Sequence, residues 1–392
     1  MGIPVSTFHY GHLAAAQLDH YAEAWPSIQG QASVNTPGHV TMTLRQPYGV
    51  VALIIPWNAP VYFFASKAAP ALITGNTVVL KSSEKAPLAV ARIAALVAEA
   101  GFPPGVFNII SGHGVPSGQI LSRHMDVRAL SFTGSSRTGK LIQEEAARTN
   151  LKKVILELGG KSPALIFADV PNLAKAVEQT RLSIQINSGQ VCMANSRIYV
   201  EKSIAEQFVA EFLKRFSDVK DGNPLEASTN HGPQADEVQY RNVMAYIEKG
   251  KNHSPGAKLA LGGSGKVDST GGFFIEPTVF VDVPESAAIQ KEEVFGPVVN
   301  INTFETEEEA IAKANDTEFG LYAAVYTRDI NRALRVAKKL ESGYVGVNCT
   351  SPVTGRDLPF GGWKGSGQGR EGLLYSMNNF LETKSVIIQI EE

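Results

Sequence analysis

Val50-Val51-Ala52-Leu53-Ile54-Ile55, then a helical pattern over 61–73, then Thr77-Val78-Val79-Leu80, is the stretch that decides the fold. A short apolar run without alternation suits a strand covered on both faces. Two such runs joined by a helix form a βαβ unit, because parallel neighbours need a crossover. Downstream, a helix is expected over 87–100, with Ser83 in its N-terminal cap region, Gly101 as its stop and Pro103-Pro104 beyond. Apolar runs at 106–110, 127–132 and 153–158 continue the sheet, giving a doubly wound half. Upstream, a helix over 12–24 precedes Thr41-Met42-Thr43-Leu44-Arg45, whose alternation predicts an exposed strand.

A second α/β unit is expected over roughly 160–360. Strands at 164–167, 196–200, 298–304 and 323–326 alternate there with helices at 173–186, 307–315 and 330–340. Ser203 with Glu206 reads as a capping box ahead of Phe208, Phe212 and Phe216. The glycine-dense stretches 262–272 and 361–372 read as loops. Residues 385–390 read as a terminal strand with no later partner, so this strand and the one near 41–45 point to pairing between subunits. The expected class is α/β, with two doubly wound domains. Residues 1–159 would form the first, interrupted by strands near 30–47, residues 160–360 the second, and residues 361–392 would return to the first.

A chain of 392 residues with 44% hydrophobic residues has ample core for two domains. Lys+Arg 36 against Asp+Glu 38 gives a formal charge of -2, so nothing argues for nucleic acid or an acidic membrane as partner. Small neutral or weakly charged substrates fit better. Cys192 and Cys349, the only cysteines, are too few for a disulfide framework and favour a reducing compartment. The N-terminus lacks the charged start and apolar run of a signal peptide, and no run of 18 apolar residues occurs, so a cytosolic protein is expected.

Cys192 ends Asn187-Ser188-Gly189-Gln190-Val191-Cys192, just beyond a glycine that leaves room for a reacting atom. A lone cysteine is more often a small buried hydrophobe, but a thiolate attacks carbonyl carbon well. Glu157 begins Glu157-Leu158-Gly159-Gly160-Lys161, where a strand runs into two glycines. It is either a solvated strand-end carboxylate or a general base. Glu84, with Lys81 nearby, follows the second strand of the first βαβ unit, where an acid can accept hydrogen bonds from ribose hydroxyls. Gly134-Ser135-Ser136-Arg137-Thr138-Gly139-Lys140 follows a strand and opens a helix, so its amides can hold phosphate. It nearly spells a P-loop, but Leu141 stands where a triphosphatase needs Ser or Thr. Pro56-Trp57-Asn58 ends the first strand, and the Asn58 amide is an oxyanion donor or a turn residue.

Together these motifs resemble the NAD(P)-dependent aldehyde dehydrogenase superfamily over nearly the whole chain. Glu157-Leu158-Gly159-Gly160-Lys161 and Gly189-Gln190-Val191-Cys192 are similar to its two active-site signatures, at a matching separation of 35 residues. Pro56-Trp57-Asn58, Phe132-Thr133-Gly134-Ser135, Glu292-Glu293-Val294-Phe295-Gly296-Pro297 and Pro359-Phe360-Gly361-Gly362 follow the family's order. The resemblance implies Cys192 as nucleophile, Glu157 as the base that activates water, and Asn58 as oxyanion donor with the Cys192 backbone N–H. It implies Lys67 in a proton relay. For the cofactor it implies Pro56, Trp57, Lys81, Glu84, Gly134, Ser135, Glu157, Leu158, Gly159, Glu293 and Phe295. NAD is expected rather than NADP, because the Glu84 carboxylate would repel a 2′-phosphate. No metal is expected. A small sheet that joins subunits into a homodimer or homotetramer is implied as well. The family's chains carry roughly a hundred more residues before the position of Met1, about one small domain's worth. An acylating enzyme that passes the acyl group to coenzyme A and a catalytically silent short member are the rival readings. Glu157 argues against the first.

Overall fold

The computed structural model describes residues 2–7, 10–355 and 357–391. The chain forms two compact units, one built chiefly from 10–157 with 368–391, the other chiefly from 158–354 with 361–367. It leaves the first between Glu157 and Leu158.

In the first unit the parallel strands are Val50–Ile54, Thr77–Ser82, Phe107–Ser111, Val127–Thr133 and Lys153–Glu157. Across the sheet they run Lys153–Glu157, Val127–Thr133, Val50–Ile54, Thr77–Ser82, Phe107–Ser111. The first strand is central, and the chain winds to one edge before returning to build the other. Strand order therefore reverses between Val50–Ile54 and Val127–Thr133, and beyond the C-terminal ends of strands at such a reversal α/β sheets bind ligands. Val51, Leu53, Val78 and Leu80 are fully buried and pack with Phe63, Phe64 and Ala68 of helix Pro60–Ile73. Coverage on both faces explains why these strands read as unbroken apolar runs.

The main sheet of the second unit has seven strands in the order Lys258–Leu261, Thr278–Val281, Val298–Phe304, Arg197–Glu201, Pro163–Ile166, Tyr322–Tyr326, Tyr344–Val347. All pairings are parallel except the outermost, made by Lys258–Leu261. Phe208, Phe212 and Phe216 repeat every four residues along helix Ala205–Phe216 and are fully buried against Ile198, Val200 and Ile301.

Four expectations are corrected. Helix Pro87–Glu99 is preceded by Ala86 at its cap position, while the Ser83 hydroxyl accepts the Lys85 N–H at 3.3 Å and closes a separate turn. Pro87 in the first helical turn has no N–H to cap. Ser203 and Glu206 form no capping box. The chain first makes a tight turn at Lys202–Ile204, so Ile204 takes the cap position of helix Ala205–Phe216 with no side-chain bond. The glycine-rich 262–272 stretch is partly a hairpin, in which Gly265–Val267 pairs with Phe273–Ile275. Its reversal is closed by Asp268, whose Oδ1 accepts the N–H groups of Thr270 and Gly272 at 2.9 and 2.8 Å. Lastly, the two strands read as lacking partners pair with each other. Leu381–Gln389 runs antiparallel to His39–Pro47 over nine residues, and Ala32–Ser33 lies on the other side of His39–Pro47.

Candidate active site

In the first unit the C-terminal strand ends gather the expected residues. Pro56, Trp57 and the buried Asn58 follow Val50–Ile54, and helix Pro60–Ile73 begins immediately after them. Lys85 Nζ lies 5.5 Å from the Trp57 ring centroid, a cation–π contact. Lys81 and Glu84 fall at and just after the end of Thr77–Ser82. Lys81 is buried and donates from Nζ to the Ser82 carbonyl at 2.9 Å. Burial pushes its ammonium below the ordinary lysine range, with the Glu84 carboxylate acting in the opposite direction. Gly134 and Ser135 follow Val127–Thr133, and Ser135 caps helix Ser136–Arg148, its Oγ accepting the Thr138 N–H at 3.3 Å. Glu157, 2% exposed, is the last residue of its strand and lies opposite Thr133, with its carbonyl accepting the Gly134 N–H at 3.1 Å.

Lys67 is 1% exposed. Its ammonium donates to Ser131 Oγ at 2.9 Å and pairs with the Glu371 carboxylate, which also accepts from Ser131 Oγ at 3.3 Å. A buried ammonium needs such a countercharge. Sequence reasoning missed Glu371, because it lies 304 positions away in a stretch read as loop.

The second unit carries Leu158, Gly159, Cys192, Glu293 and Phe295. Helix Leu173–Gln185 ends in a turn where Asn187, Ser188 and Gly189 all take left-handed backbone, with φ of 51°, 52° and 75°. For Asn187 and Ser188 this conformation costs roughly 1–2 kcal/mol each. Hydrogen bonds hold them there: Gln190 Nε2 donates to the Asn187 carbonyl at 2.8 Å and Ser188 Oγ to the Gly232 carbonyl at 2.5 Å. Ala235 N–H in turn donates to Gln190 Oε1 at 2.9 Å. A side chain on Gly189 would overlap the Gly296 carbonyl and Pro297. Three residues on, Cys192 is half-buried, and its carbonyl lies where a Gly160 side chain would be.

Gly160 N–H donates to Glu293 Oε1 at 2.9 Å, and a Cβ on Gly159 would overlap the same carboxylate. The paired glycines therefore let Glu293 and the Cys192 backbone close on one loop. Ser366 pins that loop, donating from Oγ to the Gly159 carbonyl at 2.6 Å and accepting the Leu158 N–H on its own carbonyl at 2.9 Å. Below it, the fully buried Arg197 donates to the carbonyls of Lys161 at 2.9 Å, Lys313 at 3.0 Å and Ala314 at 2.8 Å. Burial, with Arg197 adding to it, pushes the Lys161 ammonium down to about 7, against the pull of Glu293 and Glu292. Nothing in the spacing of Ser366 or Arg197 marked them as supports of this loop.

The donor set fits a dinucleotide. A capped helix N-terminus at the strand-order reversal suits a pyrophosphate, and the Lys81 and Glu84 pair suits a ribose. Among the described residues no group of three His, Cys, Asp or Glu side chains could hold a metal ion.

Residues 5–386 match the model of the aldehyde dehydrogenase family. The chain is 46% identical over 373 residues to retinal dehydrogenase 2 of Homo sapiens, covering 95% of this chain and 71% of that protein. It is 44% identical over 375 residues to "Aldehyde dehydrogenase, cytosolic 1" of Mus musculus, covering 96% of this chain and 74% of that protein. Among solved structures, the NAD+ complex of aldehyde dehydrogenase from Bacillus cereus superposes with a TM-score of 0.96 at 39% identity, covering all of this chain and 78% of that one.

Proposed function

The chain belongs to the aldehyde dehydrogenase family, and from that premise we propose that it oxidises an aldehyde to a carboxylic acid with NAD+. Cys192 is the nucleophile. Its sulfur attacks the aldehyde carbon, and the oxyanion so formed accepts hydrogen bonds from the Asn58 amide and the Cys192 N–H. NAD+, when bound, supplies the hydride acceptor. Glu157 then draws a proton from water, which hydrolyses the thioester on Cys192. Lys67 with Glu371 passes protons away from this carboxylate. Glu293, held against Gly160, binds the nicotinamide ribose and Phe295 packs near the ring, while Lys81, Glu84, Gly134 and Ser135 hold the adenosine end. Pro56, Trp57, Leu158 and Gly159 shape the backbone around them.

The observation that carries this reading is the left-handed turn Asn187–Gly189, whose cost is maintained to set the backbone of Cys192 beside the Gly160–Glu293 bond. The relative solved with NAD+ supports the cofactor. NADH absorbance during turnover of aliphatic, aromatic and amino aldehydes tests the activity. Cys192→Ala is expected to abolish it and Cys349→Ala to preserve it. The reverse pattern eliminates Cys192.

We further infer a homodimer or homotetramer, on the strength of edge strand Leu381–Gln389, which leaves Ile387 and Ile388 exposed. A cytosolic location is proposed from the name of one relative. Among the described residues no helix is long and apolar enough to cross a membrane.

A further inference from the structure

Between helices Ala205–Phe216 and Glu237–Asn252, residues 217–236 form neither helix nor strand, so the backbone groups of this loop depend on partners elsewhere in the chain. On one side the loop meets the hairpin. His231 Nε2 lies 2.8 Å from the Ile275 carbonyl, and the Gln234 N–H donates to the Phe273 carbonyl at 2.7 Å. It is also met by residues 2–6, which belong to the same unit although Ser6 and Thr229 stand 223 positions apart. The Val5 N–H donates to the Pro224 carbonyl at 2.9 Å, Ser6 Oγ donates to the Thr229 carbonyl, and Pro4 is buried. Contact is closest at Gly2 and Gly232. A Cβ on Gly232 would stand 2.0 Å from the Gly2 carbonyl oxygen, and one on Gly2, whose φ is +73°, would stand 2.5 Å from the Pro233 ring.

The same loop reaches the turn before the nucleophile. The Gly232 carbonyl accepts Ser188 Oγ at 2.5 Å, and the Pro233 carbonyl accepts Gln190 Nε2 at 3.3 Å. Gln234 Nε2 donates to the Ser188 carbonyl at 3.2 Å, and the Ala235 N–H donates to Gln190 Oε1 at 2.9 Å. Consecutive residues 232–235 thus each place a hydrogen bond on Ser188 or Gln190. Both are buried, so water does not compete for these bonds. A non-glycine residue in left-handed backbone persists only where its surroundings over-determine it, and at Ser188 those surroundings are this loop.

We propose that Gly2–Ser6 are positioning residues for Cys192: they fix loop 224–235, which holds the left-handed turn 187–189 and so sets the Cys192 backbone for attack on the aldehyde. The proposal rests on the assignment of Cys192 as nucleophile. Residues 2–6 act through the loop and take no part in the chemistry themselves. Misplacement of a reacting group by about 1 Å from a distant change can cost about a hundredfold in rate, so a brace two contacts away is enough to matter.

Gly232→Ala, which forces Gly2 off the loop, and Ser6→Ala, which removes one bond at an exposed side chain, test this in the full chain. Hydrogen exchange read by mass spectrometry should quicken in the peptide spanning 187–192, by about tenfold in Gly232→Ala and about threefold in Ser6→Ala. The NADH burst, measured with an aldehyde that the wild type oxidises, should slow by roughly ten- to hundredfold in Gly232→Ala and about threefold in Ser6→Ala. The Kd for NADH should stay within about twofold in both, a split between binding and reaction that mere loss of stability would not produce. Should Gly232→Ala fail to fold, Ser6→Ala decides. Unchanged exchange at 187–192 overturns the proposal, and so does faster exchange with an unchanged burst. A wild type that gives no burst with any aldehyde removes the proposed oxidation instead, while the exchange readout still decides whether residues 2–6 hold the turn.

Discussion

Around Cys192 the decisive contacts are made by residues without side chains. Gly159 has room for Glu293 only because it lacks a Cβ, so Gly159→Ala should push the carboxylate off Gly160 N–H. Loss of a charge-assisted bond at that position is expected to raise the Kd for NADH about tenfold, read by fluorescence titration. On the proposed mechanism, Glu157→Gln should separate the two halves of the reaction. It should retain an NADH burst near one per active site and then stall, losing roughly 10²–10⁴-fold in steady-state turnover. Acyl adduct on the Cys192 peptide, found by mass spectrometry, is the expected signature, and normal turnover removes Glu157 from the role of base. If Glu84 lies against the adenine ribose as proposed, Glu84→Gln should shift the ratio of kcat/KM for NAD+ and NADP+ toward NADP+, because it removes a carboxylate that would repel the 2′-phosphate. Glu157, Gly159 and Glu84 could be singled out as candidates because they stand at or just after strand ends, and Cys192 and Glu293 because they stand in short glycine-containing motifs. Lys67 was legible too, whereas its partner Glu371 was not, since pairing over 304 positions leaves no local pattern.

At the scale of elements, hydrophobic period located most strands and helices to within a residue or two. Val50–Ile54, Pro60–Ile73 and Thr77–Ser82 bury nearly continuous apolar runs, so their sequences carry their environment. Caps were less legible. Ser83 and Ser203 have the right chemistry for a helix start, but each was absorbed into the turn ahead of one. Alternation in residues 41–45 and the apolar run 385–390 announced two strands but could not say that each was the other's neighbour, because such patterns fix the faces of a strand and not its partner. Pairing removes one edge from each and leaves one long edge at Leu381–Gln389. Ile387→Lys puts a charge on that edge and is expected to lower the mass found by light scattering toward the 42.1 kDa of one chain. A wild type that is already a 42.1 kDa monomer excludes the edge as a subunit contact.

For the whole molecule, two buried bases set a common direction with pH. Burial lowers Lys161 from 10.5 to about 7 and His231 below 6.5. Both hold a proton less readily folded than unfolded, so stability rises with pH, below 6.5 for His231 and from about 7 toward 10.5 for Lys161. Urea midpoints should climb between about pH 6 and about pH 9, and Lys161→Met should flatten the upper part of that climb. A slope unchanged by Lys161→Met would mean that the ammonium is not buried as described. The three-stranded sheet bears on how the protein is made. Arg45 Nη1 donates to Thr383 Oγ1 at 3.1 Å across 338 positions, so strand His39–Pro47 leaves the ribosome long before its partner exists. At 5–20 residues per second, that interval is roughly 17–70 s. Throughout it, neighbouring nascent chains on one polysome present the same alternating strand with its edge open. Yield in cells should therefore depend on chaperones that shield emerging chains, and slower translation should lengthen the exposure rather than help folding.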